Sequence, residues 1–382
     1  MRWINALHFY QPPLSSSEFV VEAAKLSYQR VAKALLDQPA AKITVNFSGC
    51  LLEQLLKLDQ TKLIADWQKL VERGQVELLG SAYWHALLPK TSLTEIERQV
   101  DAQEKILAHL FKVSRPHGFF APELAYSPEL LVWLAKKGYS YAVVDEIHID
   151  GRLDRVKELF YQDQSSGMVL AVRQREWSKK YPPEILVGDC QNCPQNLFTV
   201  TDGELYGLRH QDQRGNLEKC LEDKQINKLT ISEALDGSIR PPANLIAASW
   251  ESQPQELAVK EPYVIWESRS NNIHKILWSL AELAQQAADR FNGDDNQVWV
   301  LRHLHNGLAS CAWWWASDFD FVLFGGRAWG PEEIIRGAEQ LVRSIRSINN
   351  PASRPWKQQA EKMFCSLQSK IWRKHWHQWS AN

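Results

Sequence analysis

Residues 118–145 read GFFAPELAYSPELLVWLAKKGYSYAVVD, and this stretch predicts one complete strand–helix–strand unit. The apolar runs Gly118–Ala121 and Tyr141–Asp145 have the length and composition of short buried strands. The segment between them, Ser127–Lys137, begins with a serine that can cap a helix and a proline at the first helical position, and Gly138 follows its end. A strand, a helix and a second strand in this order are typical of a parallel α/β sheet.

The same alternation of apolar runs and amphipathic stretches extends over most of the chain of 382 residues. The candidate strands are Trp3–Phe9, Lys42–Phe47, Gln75–Gly80, Gly118–Ala121, Tyr141–Asp145, Met168–Val172 and Leu197–Thr201. About seven strands alternating with helices predict an incomplete (β/α)7 barrel. Helical periodicity replaces the alternation after about residue 270. We therefore expect two domains, the α/β barrel over 1–270 and a C-terminal helical bundle over 271–382.

Charge and composition argue against several classes of protein. The 44 basic and 45 acidic residues balance, so the overall charge favours neither nucleic acid nor an anionic membrane as a partner. The N-terminus lacks a signal-peptide pattern and no stretch approaches transmembrane length, so we expect a soluble, cytoplasmic protein. The pair Cys190 and Cys193 has no further zinc ligands at standard spacing, and we expect neither a metal nor a cofactor.

Polar and aromatic residues gather at the predicted strand ends, where parallel α/β barrels place their active sites. Five strand ends carry carboxylates, imidazoles or both. They are His8, Tyr10 and Gln11 at the first strand, Glu77 and His85 at the third, Glu123 at the fourth, Asp145, Glu146 and His148 at the fifth, and Asp202 and Glu204 at the seventh. This convergence predicts a shared site.

Paired carboxylates among aromatic residues suit the cleavage of glycosidic bonds. One carboxylate must be ionised to attack the anomeric carbon, and the other must carry a proton for the leaving oxygen. We assign the first role to Glu123 and the second to Asp202. The retaining mechanism requires the two groups to lie about 5–5.5 Å apart. We expect Gly203 to let the backbone approach the substrate closely.

The motifs that hold these residues resemble those of glycoside hydrolase family 57, in the same order along the chain. Residues 8–12, HFYQP, resemble the first family region, with Tyr10 in place of a second histidine. Residues 74–89, GQVELLGSAYWHALLP, resemble the second region, in which Glu77 and His85 match sugar-contacting positions.

Three further regions continue the resemblance. Residues 118–126, GFFAPELAY, match the region of the nucleophile and place it on Glu123. Residues 202–207, DGELYG, match the region of the acid/base and place it on Asp202. Residues 309–318, ASCAWWWASD, match the fifth region loosely. The resemblance implies a (β/α)7 barrel with a helical bundle, and retaining hydrolysis or transglycosylation of α-linked glucans or oligosaccharides without a catalytic metal.

Most of these residues also have a purely structural interpretation. Glu123 can be a charge that flanks the following helix, and His8 and His85 can be buried core histidines rather than donors to sugar hydroxyls. Glu204 is the alternative acid/base, although we expect it to bond a backbone amide or hold a neighbour. Asp145 is either an orienting carboxylate for a substrate hydroxyl or a strand-end cap.

Tryptophan is unusually abundant, with 17 residues, and its ring can stack on sugars. Trp84 is one candidate for a sugar platform. Trp313, Trp314 and Trp315 cannot all face one way on a helix, because successive residues point about 100° apart. We expect one or two of them to pack between the bundle and the barrel and at least one to line the pocket, with Trp314 as the candidate.

Two other functions compete with a glycosidase. The first is a non-catalytic glucan-binding or regulatory protein on the same scaffold, and the presence of both carboxylates argues against it. The second is a metal-dependent deacetylase or mannosidase on a related barrel. That chemistry needs a cluster of His and Asp ligands near the first strand, where Tyr10 stands instead.

Overall fold

The computed structural model describes residues 1–153, 157–188, 193–321 and 326–380 and has an α/β fold with a helical C-terminal region. The strands are β1 Arg2–Phe9, β2 Ile43–Phe47, β3 Val76–Leu78, β4 Gly118–Phe119, β5 Tyr141–Asp145, β6 Phe160–Asp163, β7 Val169–Arg173, β8 Asn196–Asp202, β9 Asn227–Leu229, β10 Pro242–Ala243, β11 Asp320–Phe321 and β12 Gly326–Arg327. Each of the predicted strands is present, as β1 to β5, β7 and β8.

The helices alternate with the strands up to β10 and then follow one another. They are α1 Ser17–Ala23, α2 Gln29–Asp37, α3 Gly49–Lys57, α4 Thr61–Glu72, α5 Leu93–Phe111, α6 Pro128–Lys137, α7 Ile147–Asp150, α8 Arg175–Ser178, α9 Pro182–Val187, α10 Asn216–Glu222, α11 Ile231–Leu235, α12 Pro254–Ala258, α13 Asn272–Arg290, α14 Gln297–Leu308, α15 Cys311–Trp315, α16 Pro331–Ser347 and α17 Arg354–Ser380. A π-helical turn, Ala24–Tyr28, joins α1 to α2.

Helix α6 begins and ends as its sequence predicts. The Ser127 hydroxyl accepts from Leu130 N at 3.2 Å, which satisfies one of the amides that the first turn leaves unpaired. Gly138 ends the helix with φ 104°, a conformation that glycine adopts without steric cost. These two residues therefore set the length of the helix that separates β4 from β5.

Two sheets are built around the predicted strands. In the first, β3, β2, β1 and β8 lie side by side and parallel, and β9 pairs with the start of β1. In the second, the order is β10, β6, β7, β5 and β4, with β4, β5 and β7 parallel and β6 antiparallel to β7. The prediction of a parallel α/β fold is confirmed.

The two sheets adjoin at both margins. Gly80, just after β3, forms a parallel bridge with Phe119 of β4. At the other margin, Gln174 N, just after β7, donates to Phe198 O in β8 at 3.0 Å. Seven described parallel strands thus follow one another in the order β8, β1, β2, β3, β4, β5, β7, and their carboxyl ends carry the residues discussed below.

The residues group into two compact units, Met1–Tyr83 with Ile96–Pro254, and Trp84–Glu95 with Gln255–Asn382. The second unit therefore starts before the predicted boundary at residue 270 and includes a loop from the first part of the chain. Within it, Ser92 N donates to Gln285 Oε1 at 2.9 Å, and Lys90 pairs with Glu267 at 2.7 Å. Helix α16 contacts α13, α14, α15 and α17.

The interior of the first unit is rich in large aromatic side chains. Phe9 stacks on Phe47 with ring centroids 5.0 Å apart, and Trp67 meets both rings edge to face. The packing of these fully buried rings holds the carboxyl end of β1 in place.

None of the described helices is both long enough and apolar enough to cross a membrane. Cys193 is in a disulfide, and Cys190 lies outside the described residues.

Candidate active site

Glu123 follows β4 in a single 3-10 turn, Pro122–Leu124, whose backbone is unusual. Glu123 has φ 61° and ψ 15°, and Leu124 has φ 45°, so both occupy the left-handed region that residues with a Cβ rarely adopt. Backbone strain of this kind persists only where the surroundings hold it, and it concentrates at functional sites. The turn therefore presents a half-buried carboxylate that its neighbours must keep in place.

Trp250 holds both the main chain and the side chain of Glu123. Its backbone N donates to Glu123 O at 3.1 Å, and its indole Nε1 donates to Glu123 Oε2 at 3.1 Å. The segment that carries Trp250 reaches the turn because Ala248 forms an antiparallel bridge with Tyr126. One oxygen of Glu123 is thereby oriented by a hydrogen bond to a partner that carries no charge.

Arg173, the last residue of β7, packs against the Trp250 ring and binds its backbone. Its guanidinium carbon lies 5.1 Å from the centroid of the Trp250 ring, and its Nη2 donates to Trp250 O at 3.3 Å. Asp145, at the end of β5, binds Arg173 Nε through Oδ2 at 2.6 Å and Arg175 Nη2 through Oδ1 at 2.6 Å. The Trp250 ring is therefore braced by a buried ion-pair network.

Asp145 is fully buried, and both its oxygens are used by arginines. Burial raises the pKa of this carboxyl, but Arg173 and Arg175 outweigh that effect and hold the pKa below its ordinary value. Asp145 thus supports the site through Arg173 and Trp250. Its Oδ1 also accepts from Ile147 N at 3.2 Å, as a strand-end cap does, and a contact of Asp145 with a sugar hydroxyl stays a prediction.

Asp202 is the last residue of β8 and is half-buried. Its Oδ2 accepts from Arg209 Nη1 at 2.8 Å. The next residue, Gly203, packs against Phe9, and a Cβ on it would lie 2.0 Å from the Phe9 ring. Phe9 thus explains why this position requires glycine, and a close approach of substrate to the Gly203 backbone stays a prediction.

His8 lies beside Asp202 and near Trp250, the residue that binds Glu123. It is the register partner of Asp202 between β1 and β8, its ring lies edge-on to Trp250 with centroids 6.4 Å apart, and it stacks on Phe120 at 4.6 Å. Its Nδ1 lies 2.7 Å from Asn46 Oδ1. Burial lowers the pKa of His8, and the Asp202 charge and the Asn46 hydrogen bond offset that effect only in part. Glu123 is therefore linked to Asp202 through Trp250 and His8, and His8 is neutral near pH 7.

Glu204 lies two residues after Asp202 and is buried. Its Oε1 accepts from Tyr28 OH at 2.5 Å, from Gln11 Nε2 at 3.1 Å and from Tyr10 N at 3.4 Å. Burial raises the pKa of Glu204 to about 7; the charge of Arg209 opposes this rise and that of Asp202 reinforces it. As expected, Glu204 bonds a backbone amide and holds neighbours. Gln11, predicted to bind substrate, uses its amide nitrogen to hold Glu204 and Tyr28.

Glu77 in β3 also makes structural bonds. Its oxygens accept from Tyr141 OH at 2.6 Å, Thr44 Oγ1 at 3.1 Å and Ser232 N at 3.0 Å, and from the Ser232 hydroxyl. In the strand register it lies level with Thr44 and Ala6, two residues before His8. Through these contacts Glu77 anchors the start of α11. Its predicted contact with sugar rests only on its position in the motif of residues 74–89.

The remaining predicted residues, Trp84, His85 and Trp314, belong to the second unit. Trp84 stacks on His305 with centroids 3.9 Å apart, and the buried His85 places Nδ1 3.0 Å from Ser310 Oγ. Trp314 is half-buried and meets Trp315 edge to face at 4.7 Å. As sugar contacts, these three residues stay predictions.

Trp313, the first of the three consecutive tryptophans, is fully buried. Its ring stacks on Trp278 with centroids 4.4 Å apart. Trp313 thus packs within the second unit, and the expected packing between bundle and barrel stays a prediction.

Sequence reasoning missed Trp250, Arg173 and Arg209. Arg209 stands seven residues after Asp202, just past the motif of residues 202–207, so its short distance in sequence was a signal that could have identified it. Trp250 is 127 residues from Glu123 and lies in no predicted strand, so no local signal marked it. Within the described part of the chain, no group of three or more His, Cys, Asp or Glu side chains is placed to hold a metal ion.

Comparison with known proteins gives one family. Residues 6–184 match the model of Glycosyl hydrolase family 57. Alpha-amylase 1 of Dictyoglomus thermophilum is 28% identical over 169 residues, which are 44% of this chain and 24% of the relative. The 4-alpha-glucanotransferase of Thermococcus litoralis is 31% identical over 180 residues, 45% of this chain and 26% of the relative. The matches thus span about a quarter of these curated relatives.

The fold is similar to that of a solved structure over a longer part of the chain. The crystal structure of a GH57-type branching enzyme from the archaeon Pyrococcus horikoshii superposes with a TM-score of 0.71 at 16% identity, covering 97% of this chain and 94% of that one. Residues 6–184 are therefore similar to glycosyl hydrolase family 57, and nearly the whole chain shares the fold of this branching enzyme.

Proposed function

We propose that the protein is a retaining glycosidase or transglycosylase that acts on α-linked glucans or oligosaccharides. Glu123 is the nucleophile and Asp202 the acid/base. The observation that carries the proposal is the chain of contacts from Glu123 through Trp250 and His8 to Asp202 at the carboxyl ends of parallel strands. The names of the relatives, α-amylase and 4-α-glucanotransferase, support α-glucans as substrates.

The reaction takes two steps. In the first, a Glu123 oxygen bonds to the anomeric carbon as the bond to the leaving oxygen breaks, and Asp202 gives its proton to that oxygen. In the second, the Asp202 carboxylate takes a proton from water or from a sugar hydroxyl, whose oxygen attacks the anomeric carbon and releases Glu123. Trp250 orients the nucleophile throughout, and His8 binds the sugar between the two carboxylates.

Azide rescue tests both assignments at once. With an aryl α-glucoside that has a good leaving group, Glu123→Ala should turn over only with azide and form the β-glycosyl azide, because azide replaces the nucleophile. Asp202→Ala should form the α-glycosyl azide, because azide then attacks the glycosyl-enzyme. Glu129→Ala, at an exposed glutamate in the first turn of α6, is the matched control and should behave as wild type.

Three outcomes would contradict the proposal. They are full turnover by Glu123→Ala without azide, the same anomer of glycosyl azide from both variants, and wild-type protein that binds maltooligosaccharides by titration calorimetry without forming products. The last outcome would identify a glucan-binding protein.

A further inference from the structure

The π-helical turn Ala24–Tyr28 inserts one extra residue into the helix that α1 and α2 would otherwise form together. Gln29 N donates to Ala24 O, five residues earlier, whereas an α-helical amide bonds the fourth residue before it. Because one residue turns an α-helix by about 100°, the insertion rotates α2 relative to α1. Single π-helical turns of this kind are rare, and they occur frequently at functional sites.

Two buried side chains of this turn bind the start of the loop that follows Asp202. The Ser27 hydroxyl donates to Gly203 O at 2.7 Å. The Tyr28 hydroxyl donates to Glu204 Oε1 at 2.5 Å. The two residues directly after Asp202 are therefore each held by one hydroxyl of the π-helical turn.

The same helix also contacts the later part of the loop. Gly207 has φ 123°, and a Cβ there would lie 2.1 Å from Leu26 O, so this approach of the two backbones requires glycine. In the first turn of α2, Arg30 Nη2 pairs with Asp212 Oδ2 at 2.7 Å. Residues 26–30 thus hold the loop from its start to residue 212.

The loop in turn orients the Asp202 side chain. Arg209 N donates to Glu204 O at 2.8 Å, and Arg209 Nη1 donates to Asp202 Oδ2 at 2.8 Å. The strand register with His8 holds the backbone of Asp202, and the loop holds one oxygen of its carboxylate. A displacement of Glu204 would therefore move Arg209 and change the direction in which the Asp202 carboxylate points.

We infer that the π-helical turn positions the proposed acid/base, and that Ser27 and Tyr28 are positioning residues for Asp202. The inference rests on the proposed function. Proton transfer requires the acid to lie within hydrogen-bond reach of the leaving oxygen, and a misplacement of about 1 Å can cost roughly 100-fold in rate. Ser27 and Tyr28 act through residues 203–209 and keep the Asp202 carboxylate within that reach.

The dependence of kcat/KM on the leaving group measures this effect. The sugar that leaves from a maltooligosaccharide needs the proton of the acid, whereas the phenolate of an activated aryl α-glucoside departs with little help. Ser27→Ala and Tyr28→Phe each remove one oxygen. Each should lower kcat/KM on maltooligosaccharides by about 10-fold or more, and on the activated aryl α-glucoside by less than about twofold. The two variants remove separate hydrogen bonds, so either one that folds decides the question.

Two matched controls lose the hydrogen bond of a buried hydroxyl elsewhere in the chain. Tyr139→Phe removes the hydroxyl that donates to Glu104 Oε1 at 2.9 Å, and Ser344→Ala removes the one that donates to Val300 O at 2.8 Å. Both controls should keep the wild-type ratio of the two kcat/KM values, even where they lower the thermal stability. A ratio that changes as much in the controls as in Ser27→Ala and Tyr28→Phe would overturn the inference.

The route through the loop has a separate test. Arg209→Gln removes the contact that orients the Asp202 carboxylate. Tyr28→Phe should therefore change the ratio of the two kcat/KM values less in the Arg209→Gln background than in wild type, because both substitutions act on the same side chain. An effect of full size in both backgrounds would contradict this route.

Asp202→Asn separates this inference from its foundation. If Asp202→Asn lowers kcat/KM by the same factor on both substrates, or leaves both values unchanged, the proposed function itself fails. Asp202→Asn can instead lose far more activity on maltooligosaccharides, as proposed. If Ser27→Ala and Tyr28→Phe then leave the ratio unchanged, the positioning role of the π-helical turn alone is overturned.

Discussion

Trp250 binds Glu123 twice, by its backbone amide and by its indole nitrogen, each at 3.1 Å. The first bond holds the left-handed turn and the second orients the carboxylate, so one residue fixes both the strained backbone and the side chain it presents. Behind the ring, Arg173 and Asp145 provide a buried ion pair. The position of the proposed nucleophile therefore depends on residues that none of the family motifs contains.

Trp250→Phe should reduce activity while keeping the fold. The phenyl ring retains an aromatic surface for Arg173 but loses the N–H donor, and a hydrogen bond to a charged group contributes about 1.5–3 kcal/mol. We expect kcat/KM on an aryl α-glucoside to fall by roughly 10- to 100-fold, with thermal unfolding little changed. Trp133→Phe, at a half-buried tryptophan on α6, is the control. Equal activity in the two variants would show that the bond does not matter.

The strain at Glu123 predicts that two equally inactive variants differ in stability. Glu123→Ala and Glu123→Gly both remove the carboxylate and its bond to Trp250, but only glycine relieves the cost of φ 61°. Both variants should be inactive. The glycine variant should have a free energy of unfolding in urea about 1 kcal/mol higher than the alanine variant. An alanine variant at least as stable as the glycine variant would show that the turn is not strained.

Local pattern predicts the strands and the two carboxylates because each depends on neighbours in sequence. An apolar run ends where a polar residue follows, as at Phe9 or Asp202, and a cap such as Ser127 acts within three residues. Contacts between residues that are far apart in sequence produce no such local pattern. Ser232 is 155 residues from Glu77, so the sequence around Glu77 does not indicate the bond between them. The motif of Glu77 suggested sugar binding instead.

Asp145→Asn should destabilise the protein strongly. It would leave Arg173 and Arg175 buried beside a neutral amide, and breaking a buried ion pair costs about 3–5 kcal/mol. We expect a loss of this size in the free energy of unfolding at pH 7. Asp37→Asn, at an exposed residue that ends α2, should change it little.

The loss should also depend on pH in a defined direction. The two arginines lower the pKa of Asp145 in the folded protein below its ordinary value of 3.8, so the stabilisation is present above that pH and disappears as pH falls through the folded-state pKa. Urea unfolding from pH 7 to pH 3 should therefore show a constant difference between wild type and Asp145→Asn above about pH 4 that shrinks below it. A difference that grows on acidification would contradict the ion-pair assignment.

Glu77→Gln distinguishes an anchoring role from a sugar-binding role. Glutamine offers one acceptor oxygen and a nitrogen that is itself a donor, so it cannot accept from Tyr141, Thr44 and Ser232 together. A buried donor left without a partner costs about 1–3 kcal/mol, and we expect a loss of this size in the free energy of unfolding. Thr44→Val should act through the same hydrogen bonds. The loss in free energy of unfolding of the Glu77→Gln/Thr44→Val double variant should therefore be smaller than the sum of the two single losses. The KM for maltooligosaccharides should stay close to wild type in the folded Glu77→Gln protein. A large rise in KM with unchanged stability would instead identify Glu77 as a sugar contact.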